Sequence, residues 1–233
     1  TAPGTANAAG AGAWDVGNGF GQNSTFYVQF RFRINQAMID NLNVWNTQGW
    51  KTVIFHGATT GSCSSIELTT NQYYSAAPFM YTDCGGRGLY TNTSYQSSQS
   101  ASPSLLQQGS LYPDIGYNCE YPASSSDPGC FYFNANTWYT MYYRVQIGTW
   151  GTSNSSIQAW LAPQGVTSWS QWINVQNMRL DYQTDSSNVY DVVRLLTYMT
   201  GNTVVAPTVA DAWYDELIVS TQPIAVPGVT TPP

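Results

Sequence analysis

Charge is what this chain has least of. Of 233 residues only 9% are Asp, Glu, Lys or Arg, and there is a single His. Scarce charge with abundant aromatic residues excludes a disordered segment, which shows the opposite balance. The Ala, Glu, Lys and Leu enrichment of coiled coils and helical bundles is missing as well. Seven basic residues against 13 acidic ones, a net charge of -6, argue against a nucleic-acid partner, whose phosphates call for basic patches. No apolar run approaches the roughly 20 residues of a membrane-spanning helix. Cysteines are few, four in all, and none forms a Cys-x-x-Cys motif. With that spacing absent and a lone His, a zinc reading is weak.

What the chain does have is rings: 17 Tyr, 9 Trp and 8 Phe, or 15% of the sequence. A polar, uncharged, aromatic-rich surface suits sugars, whose C–H faces stack on rings and whose hydroxyls seek Asn, Gln, Ser and Tyr. The cysteines fall in two sequence-local pairs, Cys63 with Cys84 and Cys119 with Cys130. Three connectivities are open; the local pairs are the expected one, each closing a Gly/Ser/Pro-rich loop. Persistent disulfides imply an oxidising compartment and hence secretion. The absence of an apolar leader before Thr1 is read as that of a mature secreted chain.

Period-2 alternation is the dominant pattern and marks strands with one buried face. In 26–34 the apolar set is Phe26, Val28, Phe30, Phe32 and Ile34, opposite Tyr27, Gln29, Arg31 and Arg33. In 138–147, Tyr139, Met141, Tyr143, Val145 and Ile147 oppose Trp138, Thr140, Tyr142, Arg144 and Gln146. Ile157, Ala159 and Leu161 oppose Gln158 and Trp160, and Ile66 and Leu68 oppose Glu67. Shorter strands are expected at 52–56, 189–198 and 213–220, and a turn of helix at 36–42. The pattern predicts an all-β, two-sheet antiparallel sandwich or jelly roll with long disulfide-pinned loops. One domain, 14–222, is expected between an N-terminal arm, 1–13, and a Pro/Thr-rich tail, 223–233, neither end contributing core.

The outward residues Tyr27, Gln29, Arg31, Arg33, His56, Glu67, Tyr142, Arg144, Gln146, Gln158 and Trp160 are read as one polysaccharide-binding face, with Lys51 beside them. The alternative is that these groups only pack beneath the long loops. Glycoside hydrolysis needs two carboxylates roughly 5–9 Å apart. Glu67 stands alone on its strand, and Asp215-Glu216 projects to opposite sides, so hydrolysis would depend on a loop acid such as Asp83. β-Elimination from a uronic-acid polymer needs no such pair. It requires a cation for the carboxylate, a base for the C5 proton and an acid for the leaving oxygen.

The order of these segments resembles concanavalin A-like (laminin-G-like) jelly rolls, most nearly the secreted alginate and glucuronan lyases. It runs Phe-Tyr-Val-Gln-Phe-Arg-Phe-Arg at 26–33, Gly-Trp-Lys-Thr-Val-Ile-Phe-His-Gly at 49–57, Trp-Tyr-Thr-Met-Tyr-Tyr-Arg-Val-Gln at 138–146 and Trp-Tyr-Asp-Glu-Leu-Ile-Val-Ser at 213–220. The resemblance implies a polysaccharide bound on a concave sheet face, with Arg33 and Arg144 neutralising carboxylate, His56 as base and Tyr142 as acid. Tyr27, Gln29, Arg31, Lys51, Glu67, Gln146, Gln158 and Trp160 would hold flanking sugars. The sequence departs from the alginate-lyase pattern at Ile54, where a Gln is usual, and lacks the Lys-x-Gly-x-Tyr-x-Gln run. No cofactor is required. A structural calcium, common in this fold, would fall to Asp15 and Asp215. The alternatives are a non-catalytic lectin-like or structural module and a hydrolase centred on Glu67.

Overall fold

In a computed structural model, the chain is described over residues 12–42, 49–57, 66–70, 78–82, 132–150, 152–180, 189–200 and 209–225. Ten strands and one short helix occupy these segments. They are β1 (Gly12–Phe20), β2 (Ser24–Ile34), α1 (Gln36–Leu42), β3 (Gly49–His56), β4 (Ile66–Thr70), β5 (Pro78–Thr82), β6 (Tyr139–Ile147), β7 (Ser153–Pro163), β8 (Ser170–Arg179), β9 (Tyr190–Thr200) and β10 (Ala212–Ser220). They form two five-stranded antiparallel sheets: sheet A, in the order β1-β9-β3-β4-β5, and sheet B, in the order β10-β2-β6-β7-β8.

The alternation in the sequence decides which side of each strand is dry. Phe26, Val28, Phe30, Phe32 and Ile34 of β2 and Tyr139, Met141, Tyr143, Val145 and Ile147 of β6 are all buried in one core. From sheet A, Val53, Phe55, Val193 and Leu195 enter the same core. Phe55 meets Tyr143 edge-on with ring centroids 5.2 Å apart, and Phe26 at 6.0 Å. Phe26 in turn stacks on Phe20 at 4.7 Å. Such ring pairs add about 0.5–1.5 kcal/mol each beyond the area they bury. The Tyr214 hydroxyl of sheet B also donates to the Thr52 carbonyl of sheet A at 3.0 Å, tying the layers together.

Helix α1 begins where expected because Asn35 caps it, its Oδ1 accepting from the Met38 N–H at 2.9 Å. The same side chain donates to the Val209 carbonyl and to Asp211, so the cap also fixes the approach to β10. Strands β1, β5 and β8 escape the period-2 reading. In β8 the reason is visible: the β7–β8 register shifts three times, and consecutive Trp172 and Ile173 both enter the core. No helix among the described residues is long and apolar enough to cross a membrane.

The chain ends differ from the expectation of an arm and a tail outside the core. Gly12 and Ala13 pair with β9. After β10 the chain returns over the outer side of sheet B, where Ile224 is only 7% exposed. Ile224 packs in a second, smaller cluster with Tyr142 and Trp160, flanked by Tyr27 and Trp169. Its N–H donates to the Tyr142 hydroxyl at 3.3 Å. This strap gives the outer side of sheet B a dry patch of its own.

Burial holds the Tyr142 phenol above its ordinary value of 10.0, the Ile224 N–H and the Arg144 charge opposing the rise only in part. Tyr143 is pushed up further by complete burial in the core. A phenol with a raised folded-state value keeps its proton when the unfolded chain has lost it, so stability falls as pH climbs above about 10. Ile224→Ala is expected to cost about 2 kcal/mol in a urea melt. It is also expected to shift phenolate absorbance from the Tyr142 ring to lower pH. A melt and a titration identical to those of the parent would show that the strap is not seated.

Candidate functional site

Each sheet has one outer face, and the expected site residues divide between them. Tyr27, Gln29, Arg31 and Arg33 on β2, Tyr142, Arg144 and Gln146 on β6, and Gln158 and Trp160 on β7 belong to sheet B. Lys51 and His56 on β3 and Glu67 on β4 belong to sheet A. Val53 and Phe55 face the core, so His56 lies on the far side of sheet A. Met141 and Tyr143 face the same core from sheet B, which puts Tyr142 on the opposite outer face. Packed sheets lie about 10 Å apart before side chains are added. The proposed quartet of Arg33, His56, Tyr142 and Arg144 is therefore not brought together. Alternation gives the correct side of each strand, but it carries no information on which sheet a strand joins.

On sheet B the outer groups are largely used on one another. Tyr142 is 1% exposed and Trp160 4%, both under the strap, so neither ring is an open sugar platform. Arg144 donates to Gln158 Oε1 at 2.7 Å, Gln158 donates to Asn174 at 3.4 Å, and Gln176 donates to the same Asn174 oxygen at 2.7 Å. Gln146 accepts from Ser156 at 3.4 Å. Tyr27 lies 6.2 Å from Tyr142, ring to ring, and Gln29 is buried. Arg31 forms an ion pair with Glu216 at 3.2 Å. On this face Tyr142 and Trp160 lie against Ile224, and Arg31, Arg144, Gln146 and Gln158 bond to neighbouring side chains.

The outer face of sheet A is assembled differently. The register gives a row Ala13–Arg194–Ile54–Glu67–Tyr81 across β1, β9, β3, β4 and β5. A neighbouring row holds Asp15–Val192–His56. Cross-strand partners share a face, and diagonal neighbours stand about 7–8 Å apart. His56 is thus flanked diagonally by Arg194 and Glu67. Farther along, Lys51 is opposite both Tyr198 and Thr69. One face of sheet A accordingly brings the chain's only His beside Arg194. Arg194 is absent from the sequence-based set. The alternation of Val192 and Arg194 against Val193 and Leu195 is the signal that would have found it.

His56 has a defined polarity. Its Nδ1 lies 2.8 Å from the Gly57 carbonyl, which can only accept, so Nδ1 carries the proton. In the neutral ring the lone pair is then on Nε2, a buried atom with no hydrogen-bond partner. Arg194 has neither an ion pair nor a hydrogen bond among the described residues; the only ion pair there is Arg31–Glu216. An oriented imidazole beside an uncommitted guanidinium can take a proton next to a neutralised anion.

Of the two acids expected to hold calcium, Asp15 is placed in sheet A opposite Val192 and Asp215 in sheet B opposite Arg31. No group of three or more potential ligands occurs among the described residues. Cys63, Cys84, Cys119 and Cys130, and with them the disulfide pairing, lie outside the described residues, as does Asp83.

No protein-family model matches the sequence, and no curated protein does. Solved structures do. The chain is similar to the marine PL-14 alginate lyase from Aplysia kurodai, with a TM-score of 0.52 and 13% identity over 86% of this chain and 71% of that one. It is likewise similar to the endo-β-1,4-glucuronan lyase from the fungus Trichoderma reesei, with a TM-score of 0.52 and 11% identity over 95% of this chain and 78% of that one. Two antiparallel sheets around one aromatic core, in the arrangement shared with those enzymes, make this chain a jelly-roll sandwich with the fold of polysaccharide lyases.

Proposed function

We propose that the chain is a secreted polysaccharide lyase that cleaves a uronic-acid polymer by β-elimination on the outer face of sheet A. The observation that carries this reading is His56. Its Nδ1 is fixed on the Gly57 carbonyl, and its Nε2 is dry, unpartnered and diagonal to the uncommitted Arg194. The likeness in fold to an alginate lyase and a glucuronan lyase supports the substrate class.

In this reading the Arg194 guanidinium pairs with the uronate carboxylate, lowering the energy of the charge that develops when C5 loses its proton. Nε2 of His56 takes that proton, the C4–O4 bond breaks, and a C4=C5 double bond forms. The imidazolium so formed then gives that proton to the departing oxygen. Hydrolysis fits this face less well. Asp15 and Glu67 are separated by three strand spacings, about 14 Å, beyond the span of a working carboxylate pair.

Incubation with alginate, polyglucuronate and neutral glucans tests the reading through the ultraviolet absorbance of the unsaturated uronate. His56→Ala is expected to lower turnover by about 100-fold or more while polymer binding stays close to that of the parent. Unchanged turnover would remove His56 from the mechanism. Arg194→Gln is expected to reduce kcat/KM on uronates by about 100-fold, the cost of losing one charge-stabilising donor set. Reducing ends without ultraviolet absorbance would point to hydrolysis, and polymer retention with no product to a lectin.

A further inference from the structure

The outer face of sheet B has one region that the strap and the Arg144–Gln158–Asn174 chain do not use. At the β10 edge, Trp213, Arg33 and Trp138 stack in a line. The Arg33 guanidinium carbon lies 4.3 Å from the Trp213 ring centroid and 5.1 Å from that of Trp138. Trp213 and Arg33 are direct cross-strand partners, and Arg31 covers the Trp138 ring from the next position at 5.2 Å. β10 is the edge strand, so the stack ends at Trp213, which is 38% exposed.

Arg31 and Arg33 are in different electrostatic states. Arg31 is neutralised by Glu216, which a bulge in β10 presents from a left-handed backbone, φ 52°, its N–H satisfied by Asp215 Oδ1 at 2.8 Å. Arg33 has no ion pair and no hydrogen bond among the described residues, and its Nε is buried without a partner. A guanidinium carries five N–H donors. Stacking between two rings holds this one in place without using any of them. Two residues before Arg31 on the same strand face, buried Gln29 also has an unpaired Oε1. A rigid ring ending at an open edge, beside a fixed cation with unused donors, loses little entropy on binding.

We infer that the Trp138–Arg33–Trp213 stack is a second, non-catalytic binding site for an acidic polysaccharide: a sugar ring stacks on Trp213 and its carboxylate pairs with Arg33. A cation with no ion pair among the described residues, on the face opposite His56, favours an anionic polymer over a neutral one. The choice of a uronate polymer rests on the lyase reading, whereas the existence of the site rests on the stack.

The test is affinity electrophoresis of the whole chain in gels cast with polyglucuronate, alginate or a neutral glucan. It is run on the His56→Ala background so that the polymer is not consumed. The parent is expected to be retarded by the polyuronates. Arg33→Gln and Trp213→Ala each weaken that binding by about tenfold, and Trp213→Phe, which keeps a ring, stays close to the parent. Equal retardation of all four proteins, or equal retardation of the parent by neutral glucan, overturns the proposal. Melting temperatures near that of the parent show that any loss is local. The lyase reading is judged separately, by ultraviolet product from the unmutated chain: its failure leaves the retardation result standing, and the reverse also holds.

Discussion

The structure depends on the aromatic layer between the two sheets. Phe26, Phe30 and Tyr143 from one side and Phe55 from the other must meet in the dark, because neither sheet alone can bury its apolar side. In strands such as β2, β6 and β7 that requirement commits every second residue to packing and leaves its neighbours on an outer face. The chain has few charged residues to distribute, so the identity of the outer neighbours largely decides where chemistry can occur.

The two faces receive different equipment. On sheet B, the guanidinium groups of Arg31 and Arg144 are committed to Glu216 and Gln158, and the Tyr142 and Trp160 rings lie beneath Ile224. These groups stabilise the sandwich and the return of the C-terminal segment. On sheet A, His56 is oriented by a backbone carbonyl and Arg194 is uncommitted among the described residues. Cations without protein partners pay a desolvation cost unless something else meets them, which is why Arg194 and Arg33, on opposite faces, attract functional readings while Arg31 and Arg144 do not.

Strand parity was legible in the sequence because period-2 patterning is local. The residues that β2, β6 and β7 send into the core between the sheets are those the alternation names, and the helix at 36–42 follows from its Asn cap. Sheet membership was not legible, because it is set by pairings between distant segments. The pattern that puts Tyr142 and His56 each on an outer side is the same whether their strands share a sheet or oppose each other. Ile224 was hidden for a related reason: a short apolar run between two prolines has no period, and only the hydroxyl of Tyr142 and the rings around it give it a place. Arg194 was open to the same parity argument as Arg33, but its strand is richer in aliphatic residues and its polar side stands out less.

The position of β9 has a consequence for how the chain assembles. It lies between β1 and β3, pairing the first described strand with one made long before it. In sheet B, by contrast, β2, β6, β7 and β8 follow one another in space in the order of their synthesis, and only the edge strand β10 arrives late. During synthesis sheet B can form most of its ladder while sheet A has a gap between β1 and β3. The apolar side of sheet B must wait, uncovered, for a strand from the last quarter of the chain. A topology of this kind folds slowly and is vulnerable to aggregation until that strand is available. The face that carries His56 and Arg194 is completed at the same moment, so the candidate site comes into existence only once β9 is in place.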